Sequence, residues 1–219
     1  MLKHIRFLLL CLLGWTQTLV FAGSYDDFFL AIDKDNAPLV QELLNRGFDP
    51  NTVNPRGVPG LLLAIRTPAP KVTETLLAHP DIKVEQRNRN DESALMLAAL
   101  DGNLALCKLL LEMDADVNKP GWTPLHYAAT NSHVEVIRLL LDSYAYIDAA
   151  SPNGSTPLMM AAMYGNSSAV KTLLEAGADP TLKNAIGLTA IDFAQQVKRT
   201  ESAEIIAAFV RARRPKGAW

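Results

Sequence analysis

Two cysteines in 219 residues leave little scope for covalent cross-links. Cys11 lies in a leader-like stretch, so Cys107 alone would remain in an exported chain and no intramolecular disulfide could form. Packing must then hold the domain. Clustered positive charge is equally scarce: 21 Lys and Arg stand against 23 Asp and Glu, which removes the basic footprint that nucleic-acid binding needs. No apolar run reaches the ~20 residues that span a bilayer, so stable membrane insertion is not expected once a leader is removed. A Gly-x-Ser-x-Gly elbow and a Gly-rich phosphate loop are both missing, which excludes the common hydrolase and nucleotide-binding signatures.

What is present begins with residues 1–22. Lys3 and Arg6 supply a basic start, Phe7 to Leu13 is an uninterrupted apolar run, and Val20-Phe21-Ala22 offers small-x-small chemistry before Gly23. That layout predicts a signal peptide cut after Ala22, with export to a periplasm first and an extracellular space second. An anchor would need a longer apolar run. A lipoprotein site at Cys11 would need a small residue where Leu10 stands. Loss of Lys3 and Arg6 moves the formal net charge from −2 to −4.

The remaining chain repeats itself. Thr123-Pro124-Leu125 returns as Thr156-Pro157-Leu158 after 33 residues, and Thr189 follows after another 33. Ala31, Ala64, Ala98, Ala128, Ala161 and Ala194 follow one another at 33, 34, 30, 33 and 33 residues. A fixed period of this length means one supersecondary unit stacked repeatedly. Each copy reads as two short helices. Threonine caps the first and proline presets its opening turn. Val136, Ile137, Leu140 and Leu141 share one face of the second. Cys107, in LALCKLLLE, falls on such a face and behaves as a small hydrophobe. Gly47 and Gly177 stand where the chain must turn left-handed.

TPLHYAATNSHVEVIRLLL, TPLMMAAMYGNSSAVKTLLEAGADP and ALMLAALDGNLALCKLLLEMDADVN resemble ankyrin repeats, whose signature is Gly-x-Thr-Pro-Leu-His-x-Ala-Ala with a later Leu-Leu-x-x-Gly-Ala-Asp. The resemblance implies an all-α solenoid of about six helix-turn-helix repeats, two of them end caps, with short β-turn fingers. The repeat domain would span 24–210, with copies at 24–54, 55–87, 88–118, 119–150, 151–183 and 184–210, and a basic tail at 211–219. Departures from the pattern carry their own expectations. Pro68-Ala69-Pro70 predicts an extended break inside copy 55–87. The last copy, taken to close on Phe209-Val210, implies an insertion of about three residues. DADVNKPGWTP is three residues short, so the finger before Trp122 should be truncated and the indole more accessible. Asp114 and Tyr144 occupy the turn-glycine place, at a cost if they stay left-handed.

The resemblance also implies structural work for His126 and His133, through side-chain bonds that tie loops to neighbouring backbone. No carboxylate or thiol at matching spacing makes them a metal pair, so no metal, cofactor or catalytic residue is expected. Asn153-Gly154-Ser155 and Asn166-Ser167-Ser168 match the glycosylation pattern, which matters only in a host that glycosylates exported proteins. The expected function is a monomeric, non-enzymatic scaffold that binds another protein through the concave face. Alternatives are a secreted effector acting on a foreign cell's protein, or an accessory subunit of an envelope enzyme. In ankyrin-like repeats the residue between motif glycine and threonine, and the two after Ala-Ala, point to that face. Trp122, Met163, Tyr164 and Leu188 would form an apolar stripe there, joined by Leu100 and Asn131, with Trp and Tyr as favoured anchors. The other candidate surface is the finger tips near Arg87, Arg89 and Lys183.

Overall fold

A computed structural model describes residues 23–213. The expected leader, and positions 214–219 of the basic tail, lie outside the described residues. The fold is all-helical, with no strand among the described residues beyond a single bridge between Val53 and Pro59. Two compact units divide the chain, one ending at Asp91 and the other beginning at Glu92.

The first unit holds α1 (residues 23–33), α2 (Ala37–Asn45), α3 (Gly60–Arg66) and α4 (Pro70–Leu77). Phe28 and Ile32 are fully buried, and the Phe28 ring lies 4.8 Å from that of Phe48, centroid to centroid. Gly60 makes this possible. A Cβ at that position would sit 2.7 Å from the Phe28 ring, so only bare backbone admits the aromatic. The extended break expected at Pro68-Ala69-Pro70 does not occur. Ala69 caps α4 and Pro70 opens it, a place where the missing N–H is spare in any helix. The Ala69 N–H bonds to the Ala64 carbonyl at 2.8 Å, as Asn103 does to Ala98 and His133 to Ala128 at 3.0 Å. The copy therefore turns like the rest.

The second unit holds α5 (Ala94–Asp101), α6 (Leu104–Glu112), α7 (Pro124–Thr130), α8 (Val134–Asp142), α9 (Pro157–Met163), α10 (Ser167–Glu175), α11 (Ala190–Gln196) and α12 (Thr200–Arg213). The odd-numbered helices pack in order as one row and the even-numbered helices as another. Ala98, Ala128, Ala161 and Ala194 are fully buried, small enough for backbones to approach. In the other row Cys107 and Leu110, Ile137 and Leu140, then Val170 and Leu173 take equivalent buried places. Ile206 follows Leu173 at the same period of 33 and is buried too. The last copy thus has no insertion: α12 keeps register at Ile206 and simply continues for extra turns.

Polar side chains finish the loops. Asn51 donates to the Asp81 carbonyl and accepts the Lys83 N–H, at 2.8 and 2.7 Å. Asn118 repeats this on Tyr144 and Tyr146, at 2.8 Å each. Asp148 stands in the corresponding place and accepts the Asp179 N–H at 3.0 Å, but a carboxylate has no N–H to give. Arg213 supplies donors instead, to the carbonyls of Ala178 at 3.0 Å and Gly177 at 3.3 Å. Fingers close through Asn54–Val58, Ser151–Ser155 and Asn184–Leu188, where the first N–H bonds to the last carbonyl at 2.9–3.0 Å. Ahead of Trp122 the short finger is held differently, by Lys119 Nζ on the carbonyls of Pro120 and Trp122 at 3.1 Å. Asp114 and Tyr144 do adopt left-handed backbone, at φ +60° and +65°.

Candidate functional site

All six residues expected at the binding face belong to the second unit. Leu100 and Asn131 are brought together directly: the Leu100 carbonyl accepts from Asn131 Nδ2 at 2.8 Å and from His133 Nε2 at 2.9 Å. The Asn131 side chain is exposed but its amide N–H is committed to backbone. Met163 is half-buried, and its carbonyl accepts from Arg199 Nε at 3.2 Å. Tyr164 caps α9, its carbonyl accepts from Arg199 Nη2 at 3.0 Å, and the residue is 53% exposed. Leu188 is half-buried where the finger closes, with its N–H on Asn184 Oδ1 at 2.9 Å. Trp122 is half-buried as well, edge-on to the His126 ring with centroids 5.2 Å apart. The short finger does not strip the indole of its contacts.

Two neighbours were not singled out from sequence. Tyr127 donates to Glu92 Oε1 at 3.3 Å, and Arg199 pins the end of α9 in the place His133 fills two stack-steps earlier in the row. The signal for Arg199 was register: it lies 66 residues after His133.

His126 is the most informative titratable group. Its Nδ1 accepts the Thr123 N–H at 3.2 Å and contacts the Thr123 hydroxyl at 2.9 Å, while Nε2 donates to the Ser155 carbonyl at 2.9 Å. Both nitrogens are consumed and the ring is fully buried. Burial pushes its pKa down to about 4, so the imidazole is neutral near pH 7 and has no lone pair facing a reactant. The same lock recurs with other chemistry. The N–H groups of Ser93 and Thr156 approach the thioethers of Met96 and Met159, and Thr189 bonds the carboxylate of Asp192. Those Thr189 bonds hold Asp192 below the usual carboxylate range. Burial pushes the Cys107 thiol up to about 12, which keeps it protonated. Among the described residues no three His, Cys, Asp or Glu side chains gather as a metal ion would require.

The family described as "Ankyrin repeats (3 copies)" matches residues 28–120, 116–184 and 147–208. The chain belongs to the ankyrin-repeat family. It is 32% identical over 162 residues to the nuclear factor NF-kappa-B p105 subunit of Gallus gallus, across 71% of this chain and 16% of that protein. It is likewise 32% identical over 178 residues to the tyrosine-protein kinase Shark of Drosophila melanogaster, across 79% of this chain and 18% of the kinase. The ankyrin-repeat chain spans less than a fifth of either relative. A solved ankyrin repeat domain from Acinetobacter baumannii shares the fold, with a TM-score of 0.71 at 24% identity, covering 84% of this chain and 97% of that one. Ankyrin repeats are generic protein-interaction modules. Among the described residues no helix is long and apolar enough to cross a membrane.

Proposed function

We propose that this chain is an exported, non-enzymatic ankyrin scaffold that captures one protein partner across the face built by its first helices and finger ends. The observation that carries the reading is Tyr164. Its backbone is fixed by Arg199 while 53% of the residue stays in solvent, so a large amphipathic ring is presented on backbone that need not be ordered on binding. Trp122 adds a second aromatic, held against His126. Aromatic side chains of this kind dominate interface energetics. The full partner-binding set is Trp122, Met163, Tyr164, Leu188, Leu100 and Asn131. Export rests on the basic start, apolar run and small-x-small end of residues 1–22.

Crosslinking and affinity capture from envelope extract identify the partner. The double variant Trp122→Ala, Tyr164→Ala should then bind it more weakly by roughly 1,000-fold or more, about 2 kcal/mol or more for each anchor, with unchanged helical circular dichroism. Wild-type affinity in the folded variant moves the partner to the finger tips. Exported material should begin Gly23-Ser24-Tyr25, and a soluble cytoplasmic pool that keeps Met1 rules export out.

A further inference from the structure

The loops that follow α6 and α8 carry features that the first-helix face does not explain. Tyr144 and Tyr146 are 87% and 69% exposed, more than Tyr164. Tyr144 also holds φ at +65°, in the place where Gly177 stands in the next copy. L side chains enter that region at a cost, and an aromatic almost wholly in solvent contributes no burial in return. The backbone that carries the two rings is nonetheless held. Asn118 bonds the Tyr144 carbonyl and the Tyr146 N–H, so the backbone between them is fixed. Beside Tyr144 lies an open recess of about 510 Å³, lined by Leu111, Ala115 and Val117 together with Asp114 and Asn118.

The charge within these two loops has one sign. Residues 112–118 and 142–148 contain Glu112, Asp114, Asp116, Asp142 and Asp148, and neither segment has a lysine or arginine. Two cations at the margin reach backbone, Lys119 Nζ on the Pro120 and Trp122 carbonyls and Arg213 on those of Gly177 and Ala178, while Lys108 and Arg138 stand one helical turn before Glu112 and Asp142. Exposed tyrosine faces in a negative field attract guanidinium, which stacks on a ring while neighbouring carboxylates meet its N–H groups. Leu111 and Val117, among the polar groups that line the recess alongside, suit the methylene stem of such a side chain.

We propose that the loops after α6 and α8 form a second docking surface, for an extended protein segment that carries arginine. The surface shares no residue with the Trp122 and Tyr164 face. Its test uses the full chain and a fluorescein-labelled peptide of alternating arginine and glycine, followed by fluorescence anisotropy at low and high salt. A glutamate–glycine peptide is the control. The decisive variant is Tyr144→Gly with Tyr146→Asp, which installs the residues found at Gly177 and Asp179 and relieves the left-handed strain, so its melting temperature should not fall. It also adds a negative charge, so any loss of binding reports the rings rather than the field. The wild type should bind the arginine peptide, more weakly at high salt, and not the glutamate peptide. The double variant should lose about tenfold or more in affinity, while Trp122→Ala with Tyr164→Ala leaves it unchanged. Absence of saturable binding, equal affinity for both peptides, or undiminished binding by the Tyr144→Gly, Tyr146→Asp variant overturns the proposal.

Discussion

His126 shows how a single position can couple packing to proton concentration. Its folded value near 4 lies below the ordinary 6.5, so the unfolded chain holds the extra proton more tightly. Stability from this group is fully present above about pH 6.5 and is lost as pH falls toward about 4, with a loss of roughly 3 kcal/mol when complete. Methionine already fills the equivalent place at positions 96 and 159 and is buried in both. His126→Met should therefore fold. Its urea midpoint should fall less than the wild type's between pH 7 and pH 4.5, and equal falls would refute the assignment. Cys107 makes a simpler case. A thiol held near 12 inside the second helix row should resist a thiol-specific reagent at pH 8 in native protein and react promptly in urea. Rapid native modification would show that the row opens.

At the scale of helices and loops, the helix pairs were legible because alanine and leucine spacing survives every substitution between copies. Pro70 misled because a proline opening a helix and a proline breaking one look alike until the preceding turn is counted. Phe209-Val210 misled in the same way, since an apolar pair late in α12 competes with Ile206, which the period of 33 selects. The exposed tyrosines were partly legible. Tyr144 announced itself as a missing glycine, but nothing in a linear pattern says which way its ring faces. Close approach between elements was invisible as well: Gly60 is an unremarked glycine until the Phe28 ring is found against it. Gly60→Ala should lower stability by about 1–3 kcal/mol through overpacking, measured as a lower urea midpoint. The Asp148–Arg213 arrangement offers a sharper test. Arg213→Ala should cost about 1 kcal/mol in the wild type. It should cost less in an Asp148→Asn background, where an amide can donate to the Gly177 carbonyl as Asn118 does to Tyr144. A double-mutant cycle of thermal melts measures the difference.

Over the whole molecule, each copy depends on its neighbours, and an end copy has fewer of them. Amides in α1 and in the last turns of α12 should exchange before those of α7 and α9, as read by hydrogen exchange and mass spectrometry. The orderly turn at Pro70 removes the reason to expect copy 55–87 to open early, and α3 and α4 should protect their amides well. Identical rates throughout would mean the chain opens as one block.

The amide clamps also have a direction. Asn51 and Asn118 each sit earlier in the chain than the loops they complete, at Asp81 and Lys83 or at Tyr144 and Tyr146. A polypeptide leaves the ribosome amino end first, so within each unit a newly emerged loop meets a clamp that has already been made. Synthesis and assembly can run in step. Asp148 interrupts that order, because the donors its loop lacks come from Arg213, later in the chain than the loop itself. The turn at Gly177 and Ala178 must therefore wait until Arg213, 35 residues beyond Ala178, has been added before its carbonyls are satisfied.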